Sequence, residues 1–213
     1  LSSTTSTTSA EIFKKAISVS GITAANKVYD GNAIATVDGT SVSFNGMVSG
    51  DNLALSSVSG LFSDKNVASN KTVSLSSTYG GLDLGNYSIT DQSSTTADIT
   101  QAAHILGSMP NMTKSVNDVP FIYTTSLNNN EGTVVYLSSD TSIADVDPTT
   151  GIVTLKAPGT VIITASANTT TNYLAGSTQY ELVVENATEV ITSEIFKRSD
   201  LMNNDIIEVN IKV

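Results

Sequence analysis

Residues 134–167 read VVYLSSDTSIADVDPTTGIVTLKAPGTVIITASA, and this stretch decides the fold. Apolar runs at 134–137, 152–155 and 161–167 are separated by Ser138-Ser139-Asp140, by Asp147-Pro148-Thr149-Thr150-Gly151 and by Ala157-Pro158-Gly159. In the last run Val161, Ile163, Ala165 and Ala167 alternate with Ile162, Thr164 and Ser166. That is the period of two expected of a strand with one buried face. Pro148 presets φ for a turn and Gly151 can take positive φ at its exit, so three short strands joined by tight turns are expected.

The composition agrees with many short strands. Of 213 residues, 39% are hydrophobic and only 14% charged, and the polarity comes from Ser, Thr, Asn and Gly rather than from the Ala, Glu, Leu and Lys of helical chains. The length suits two domains of roughly 80 to 100 residues each. Ten basic against twenty acidic residues give a net charge of −10, with no basic cluster, which argues against nucleic acid and anionic lipid as partners. No apolar run approaches the roughly 20 residues of a membrane helix, so no membrane insertion is expected. Without cysteine there are neither disulfides nor thiolate metal sites. The sequence starts with Leu, which fits a removed leader or a piece of a longer chain.

Beyond its alternation, the opening stretch contains Ser-Ser-Asp at 138–140, Ser-Ile-Ala-Asp-Val-Asp at 142–147, Thr150-Gly151, and Gly-Thr-Val-Ile-Ile-Thr-Ala at 159–165. In these words it resembles the group 2 bacterial Ig-like repeat. Upstream, Lys27-Val28-Tyr29-Asp30-Gly31 is followed by Val48-Ser49-Gly50-Asp51, by Phe62-Ser63-Asp64-Lys65-Asn66-Val67 and by Gly85-Asn86-Tyr87. These four parts, in this order over about 80 residues, resemble the YDG repeat of bacterial surface adhesins. The residues of that region agree physically: Asp30-Gly31 and Asp38-Gly39 are turn dipeptides, and Val42/Phe44, Leu53/Leu55 and Val73/Leu75 alternate with small or polar neighbours.

The expected architecture is all-β: two tandem Ig-like β-sandwiches with an additional C-terminal strand. A Ser/Thr-rich arm occupies 1–16, a YDG-like sandwich 17–100, an Ig-like sandwich 101–186 and an extension 187–213. No Gly/Ser-rich linker separates the sandwiches, so a tight junction is expected near 98–103. In the extension, Ile207, Val209, Ile211 and Val213 share one face against Glu208, Asn210 and Lys212. This is an amphipathic strand that must pair with something and is the candidate assembly strand. Glu-Ile-Phe-Lys occurs at both 11–14 and 194–197, either by coincidence or as a junction element before successive modules.

Catalytic chemistry finds little support. The only histidine, His104, is read as a surface or interface residue, and one histidine without cysteine makes zinc improbable. Asp145 and Asp147 stand two apart and are expected on a solvent face beside the turn. No cofactor is expected; calcium held by loop carboxylates is the weaker alternative, without an Asp-X-Asp-X-Asp-Gly loop to favour it. Tyr29 is expected at a core edge with its hydroxyl hydrogen-bonded. Tyr29, Asp30, Gly31, Thr150, Gly151 and Gly159 are the signature positions of the two resemblances and are given structural roles. Both resemblances imply a non-catalytic structural or adhesive module, extracellular at a cell surface, whose partner is a protein or cell-surface ligand or copies of itself. The alternative is a self-assembling subunit of an extracellular fibre, sheath or virion decoration joined by terminal-strand exchange. A carbohydrate-binding module is weaker still, with no tryptophan and 6% aromatics.

Overall fold

The computed structural model describes residues 7–187. Its regular structure is β throughout, apart from one turn of 3-10 helix at Leu84–Asn86. The first sandwich is built from β1 (Lys15–Ser20), β2 (Thr23–Ala24), β3 (Lys27–Val28), β4 (Ile34–Ala35), β5 (Val37–Asp38), β6 (Ser43–Asn45), β7 (Ala54–Phe62), β8 (Ala68–Gly80), β9 (Tyr87–Thr90) and β10 (Ser94–Thr100). Its two main sheets have the orders β6-β1-β9 and β3-β10-β8-β7-β4, and β2 pairs with β5 as a separate two-stranded sheet. The second is built from β11 (Ala102–Ala103), β12 (Met112–Ser115), β13 (Phe121–Ile122), β14 (Val134–Ser138), β15 (Ala144–Val146), β16 (Ile152–Leu155), β17 (Gly159–Ala167), β18 (Tyr173–Leu174) and β19 (Gly176–Glu185). Here β12-β19-β17-β14 faces β13-β16-β15, and β11 pairs with β18. The fold is thus two tandem Ig-like β-sandwiches.

The alternation read in 161–167 is the core of the second sandwich. Val161, Ile163, Ala165 and Ala167 are all buried, as are Tyr180, Leu182 and Val184 from the neighbouring β19 and Tyr136 from β14. The turn between β15 and β16 closes as expected. Asp147 accepts the N–H groups of Thr149 and Thr150 at 3.0 and 2.7 Å, and Gly151 has φ +69. A Cβ there would lie 2.9 Å from Thr124 and 3.2 Å from the Tyr136 ring, so glycine answers both the backbone sign and the space. Pro110 and Pro120 bracket β12, an edge strand of its sheet, where a missing ladder N–H is tolerated.

In the first sandwich one buried cluster lies at the junction end, while Ile17, Val19, Ile22 and Tyr87 are buried outside it. Tyr29, Ala35, Phe62, Val73, Ala97 and Ile99 form one buried cluster, and Ala102 and Tyr173 of the second sandwich pack against it. At the other end the inward residues Val42, Phe44, Leu53, Leu55 and Val58 are only half-buried.

The strand directions place the ends of the described chain far apart. β8 runs from the shared interface at Ala68 outward to Gly80, where Gly81 meets Asn52 and Leu53. β1 starts beside Tyr87 at that outer end. β19 starts at Gly176, against His104, and runs away from the interface to Glu185. The candidate strand formed by Ile207, Val209, Ile211 and Val213 and the second Glu-Ile-Phe-Lys word lie outside the described residues. The first such word precedes β1 in irregular chain, with Ile12 99% and Phe13 82% exposed.

Candidate functional site: the YDG loop and the junction between the sandwiches

Lys27, Asp30 and Asn32 build a closed loop from one word of sequence. The Lys27 ammonium donates to Asp30 Oδ1 at 2.8 Å, to the Asn32 carbonyl at 2.8 Å, to Asn32 Oδ1 at 3.1 Å and to the Ile34 carbonyl at 3.1 Å. It also stands 5.6 Å from the centre of the Phe62 ring. Asp30 Oδ1 accepts the Asn32 N–H at 3.1 Å, and Gly31 takes φ +81 at the tip. The Lys27 hydrogen bond, followed by the Asn32 N–H, holds the Asp30 carboxyl below its ordinary value. Oxygens from alternate residues 30, 32 and 34 therefore enclose a cation supplied by the chain, where comparable loops enclose a metal ion. Among the described residues no group of three or more His, Asp or Glu side chains converges as metal ligands would.

Tyr29 points away from this loop into the junction. Its N–H is tied to the Thr100 carbonyl at 2.8 Å, and its ring meets Tyr173 edge to face at 5.5 Å. The ring is buried, as a core-edge aromatic should be, but no hydrogen bond of its hydroxyl is found among the described residues; the ring contact takes that place. On the other side of Tyr173, the His104 ring stacks at 4.9 Å and 15°. His104 is only 5% exposed; its Nδ1 faces the Asn129 side-chain amide at 3.0 Å. It is not at the surface: it is buried within the second sandwich against Tyr173, the ring that meets Tyr29 of the first.

Asn172 completes the junction. It is 4% exposed and spans both sandwiches. Its Oδ1 accepts the Val67 N–H at 2.9 Å, and its side-chain amide donates to Asn66 Oδ1 at 3.2 Å and to Glu131 Oε1 at 2.8 Å. Thr170 Oγ1 donates to the other Glu131 oxygen at 3.1 Å. The Asn172 hydrogen bond is the main reason the Glu131 carboxyl lies below its ordinary value. Within the second sandwich, Ala102 N–H to Asn172 O at 3.0 Å, His104 N–H to Leu174 O at 3.2 Å and the parallel pairing of β11 with β18 hold the turn that carries Asn172 and Tyr173. Buried polar groups matched across an interface fix one relative arrangement, because any other leaves them unpaired.

The remaining signature positions lie elsewhere. Thr150 and Gly151 form the β15–β16 turn, and Gly159 opens β17 against Ile143. Asp145 and Asp147 do not act as a pair. Strand β15 ends at Val146; Asp145 bonds Lys156 at 3.1 Å, while Asp147 caps the turn. Sequence reasoning took Lys27 only as part of a word and passed over Glu131, Asn172 and Tyr173. The one local signal was Asn172-Tyr173 after three threonines, which resembles any turn before a strand.

Residues 13–97 match the YDG domain family and residues 123–169 match the intimin immunoglobulin-like domain family. No curated protein matches the chain. Among solved structures, Drosophila N-cadherin EC1-3 is similar at 9% identity and a TM-score of 0.34, over 83% of this chain and 70% of that one. The I9-I11 tandem of titin is similar at 12% identity and a TM-score of 0.31, over 80% of this chain and 66% of that one. From the two family matches, the chain carries a YDG domain followed by a bacterial immunoglobulin-like domain.

Proposed function

We propose that the chain is a non-catalytic structural and adhesive module of an extracellular surface protein, with its sandwiches at 17–100 and 101–186 acting as one stiff spacer. The observation that carries this reading is the junction. Asn172 bonds Val67, Asn66 and Glu131 at once, and Tyr173 sits between Tyr29 and His104. A hinge would leave these groups in water or unpaired, whereas a spacer needs them locked. Strand directions support it further, since the chain enters at the outer end of the first sandwich and leaves at the outer end of the second. An array of such units transmits position and force along its axis while loops and edges contact a protein or cell-surface ligand.

Small-angle scattering at low concentration tests the reading. Two sandwiches end to end give a longest dimension on the order of 70–80 Å from strand rises of about 3.3 Å per residue. A narrow distribution of that length is expected, and the paired substitution Asn172→Ala with Tyr173→Ala should broaden it. A compact particle, or an equally broad distribution for the unsubstituted chain, would sink the spacer reading.

A further inference from the structure

The first sandwich is open along one side. Strand β4 pairs with β7 only through Ile34 to Leu61 and Ala35 to Gly60. The chain then leaves the β7 ladder, and β5 pairs with β2 as a separate two-stranded sheet, with Val37 still against Gly60 and Gly39 against Leu55 and Val58 at one wall of the opening. Below Gly60, residues 54–59 of β7 keep their ladder with β8 on one side and have no strand on the other among the described residues. Strand β6, across the gap, is likewise the end of its sheet. Between these two edges lies an open groove of about 680 Å³ lined by Val37, Val42, Phe44, Leu53, Leu55 and Val58. A bulge between Leu55 and Ser57 puts Leu55 and Val58, three residues apart, on the same inward side. All six apolar side chains are half-buried. An unpaired strand edge over an apolar groove is the surface to which an extended segment adds as a strand, by main-chain bonds with alternate side chains in the groove.

We infer that this groove accepts residues 206–213 of a second copy of the chain, as a strand laid along β7, and so joins copies end to end. The inference rests on the spacer reading, because it uses the separation of the two ends. Ile207, Val209, Ile211 and Val213 present an apolar side chain at every second position, with Glu208, Asn210 and Lys212 between them. This is the pattern a groove below one edge and water above it require. The position favours a second copy over the same chain. Described structure stops at Ala187, just past the outer end of β19, while the groove lies in the outer half of the first sandwich. The 18 residues between Ala187 and Ile206 reach at most roughly 60 Å fully extended, too little to double back comfortably over two sandwiches. In a neighbour arranged head to tail, the groove lies beside the exit.

The full chain and two single variants test this. Light scattering should show the unsubstituted chain growing with concentration from 22.1 kDa to polymers. Leu55→Arg, which blocks the groove, and Val209→Arg, which spoils the donor, should each stay monomeric. Mixed together they should form a one-to-one dimer, because one supplies an intact donor and the other an intact groove. That dimer also shows that both variants are folded. Since the chain has no cysteine, the pair Ser57→Cys with Asn210→Cys should, on oxidation, give a ladder of disulfide-linked multimers. A concentration-independent monomer, polymers that persist in Val209→Arg, no dimer on mixing, or a disulfide formed only within one chain would each overturn the inference. Scattering from monomeric Val209→Arg reports shape without assembly, so failure of the spacer reading is seen separately from failure of the groove.

Discussion

The two sandwiches use similar sequence materials and finish them differently. In the second, Tyr180, Leu182 and Val184 of β19 are at most 2% exposed, and Val153, Ile163 and Ala165 are fully enclosed. In the first, β8 turns inward Lys71, Val73, Leu75, Ser77 and Tyr79, and enclosure is complete only at Val73, near the junction. The second sandwich therefore holds itself together, while the first takes Ala102 and Tyr173 from its neighbour at one end and leaves a groove open at the other. A domain whose core lies against its neighbour is stabilised by being in tandem, and its open end is available for contact.

The largest expected effect sharpens this contrast. Leu182→Ala removes a fully enclosed side chain from between β12 and β17, and should cost about 3 kcal/mol. Leu55→Ala trims a side chain that already meets solvent in the groove and should cost about 1 kcal/mol or less. Urea denaturation of the full chain, followed by near-ultraviolet circular dichroism of its tyrosines, gives both numbers. Equal losses would show that the groove is closed in solution.

Next in size is the junction. Asn172→Ala leaves the Val67 N–H and the Glu131 carboxylate without their shared partner, at a cost of about 1–3 kcal/mol. The loss should fall mainly on the first sandwich, which borrows Tyr173 from the same turn. Hydrogen exchange should then show residues of β3 and β10 opening before β17 and β19. Uniform loss of protection across both sandwiches would mean that the second depends on the junction as much as the first.

How far the sequence reaches follows the same division. The alternation of 161–167 and the turn at Asp147-Pro148-Thr149-Thr150-Gly151 were legible because each is specified by neighbours within a few residues. The turn glycine Gly31 was legible for that reason too. The junction was not. Asn172 finds Val67 105 residues away in sequence and Glu131 41 away, and no local pattern distinguishes it from a surface asparagine. The ammonium cage of Lys27 stayed hidden although its word was recognised, because the word does not say that Asn32 and Ile34 supply the remaining oxygens. Asp145 and Asp147 were legible as solvent-side residues beside the turn, but spacing did not say that Asp145 would pair with Lys156 and Asp147 would cap the turn.

Acid titration separates the sandwiches in a subtler way. Asp30 and Asp64 are held below the ordinary carboxylate value first by hydrogen bonds from Lys27 and Lys71. Asp140 is lowered first by the Ser142 hydroxyl and Asp147 first by the Thr150 N–H. All four shifts are downward, so each carboxylate contributes stability that is complete above its unfolded value, near pH 4. That contribution disappears as pH falls through the lower folded value. Both sandwiches should therefore weaken below about pH 4. Added salt should reduce the acid sensitivity of the first, whose partners are ammonium groups, more than that of the second, whose partners are neutral donors. The same salt effect in both would show that Lys27 and Lys71 do not carry the difference.

The smallest effect concerns the largest fully buried side chain among the described residues. Tyr180 is 1% exposed, its ring meets Tyr123 edge to face at 4.8 Å, and its hydroxyl is buried without a hydrogen-bond partner among the described residues. Burial pushes its ionisation well above the ordinary tyrosine range, so the hydroxyl remains neutral and an unsatisfied polar atom. Tyr180→Phe keeps the ring contact and removes that atom, so stability should stay level or rise by up to about 1 kcal/mol. Tyr136→Phe is the matched control. The Tyr136 hydroxyl accepts the Thr125 N–H at 3.1 Å, and its removal should cost about 1 kcal/mol. Opposite signs for two tyrosines in one core would show that the second sandwich, though closed, is tuned by packing at Tyr180 and by hydrogen bonding at Tyr136. A loss at both positions would place a bound water against the Tyr180 hydroxyl.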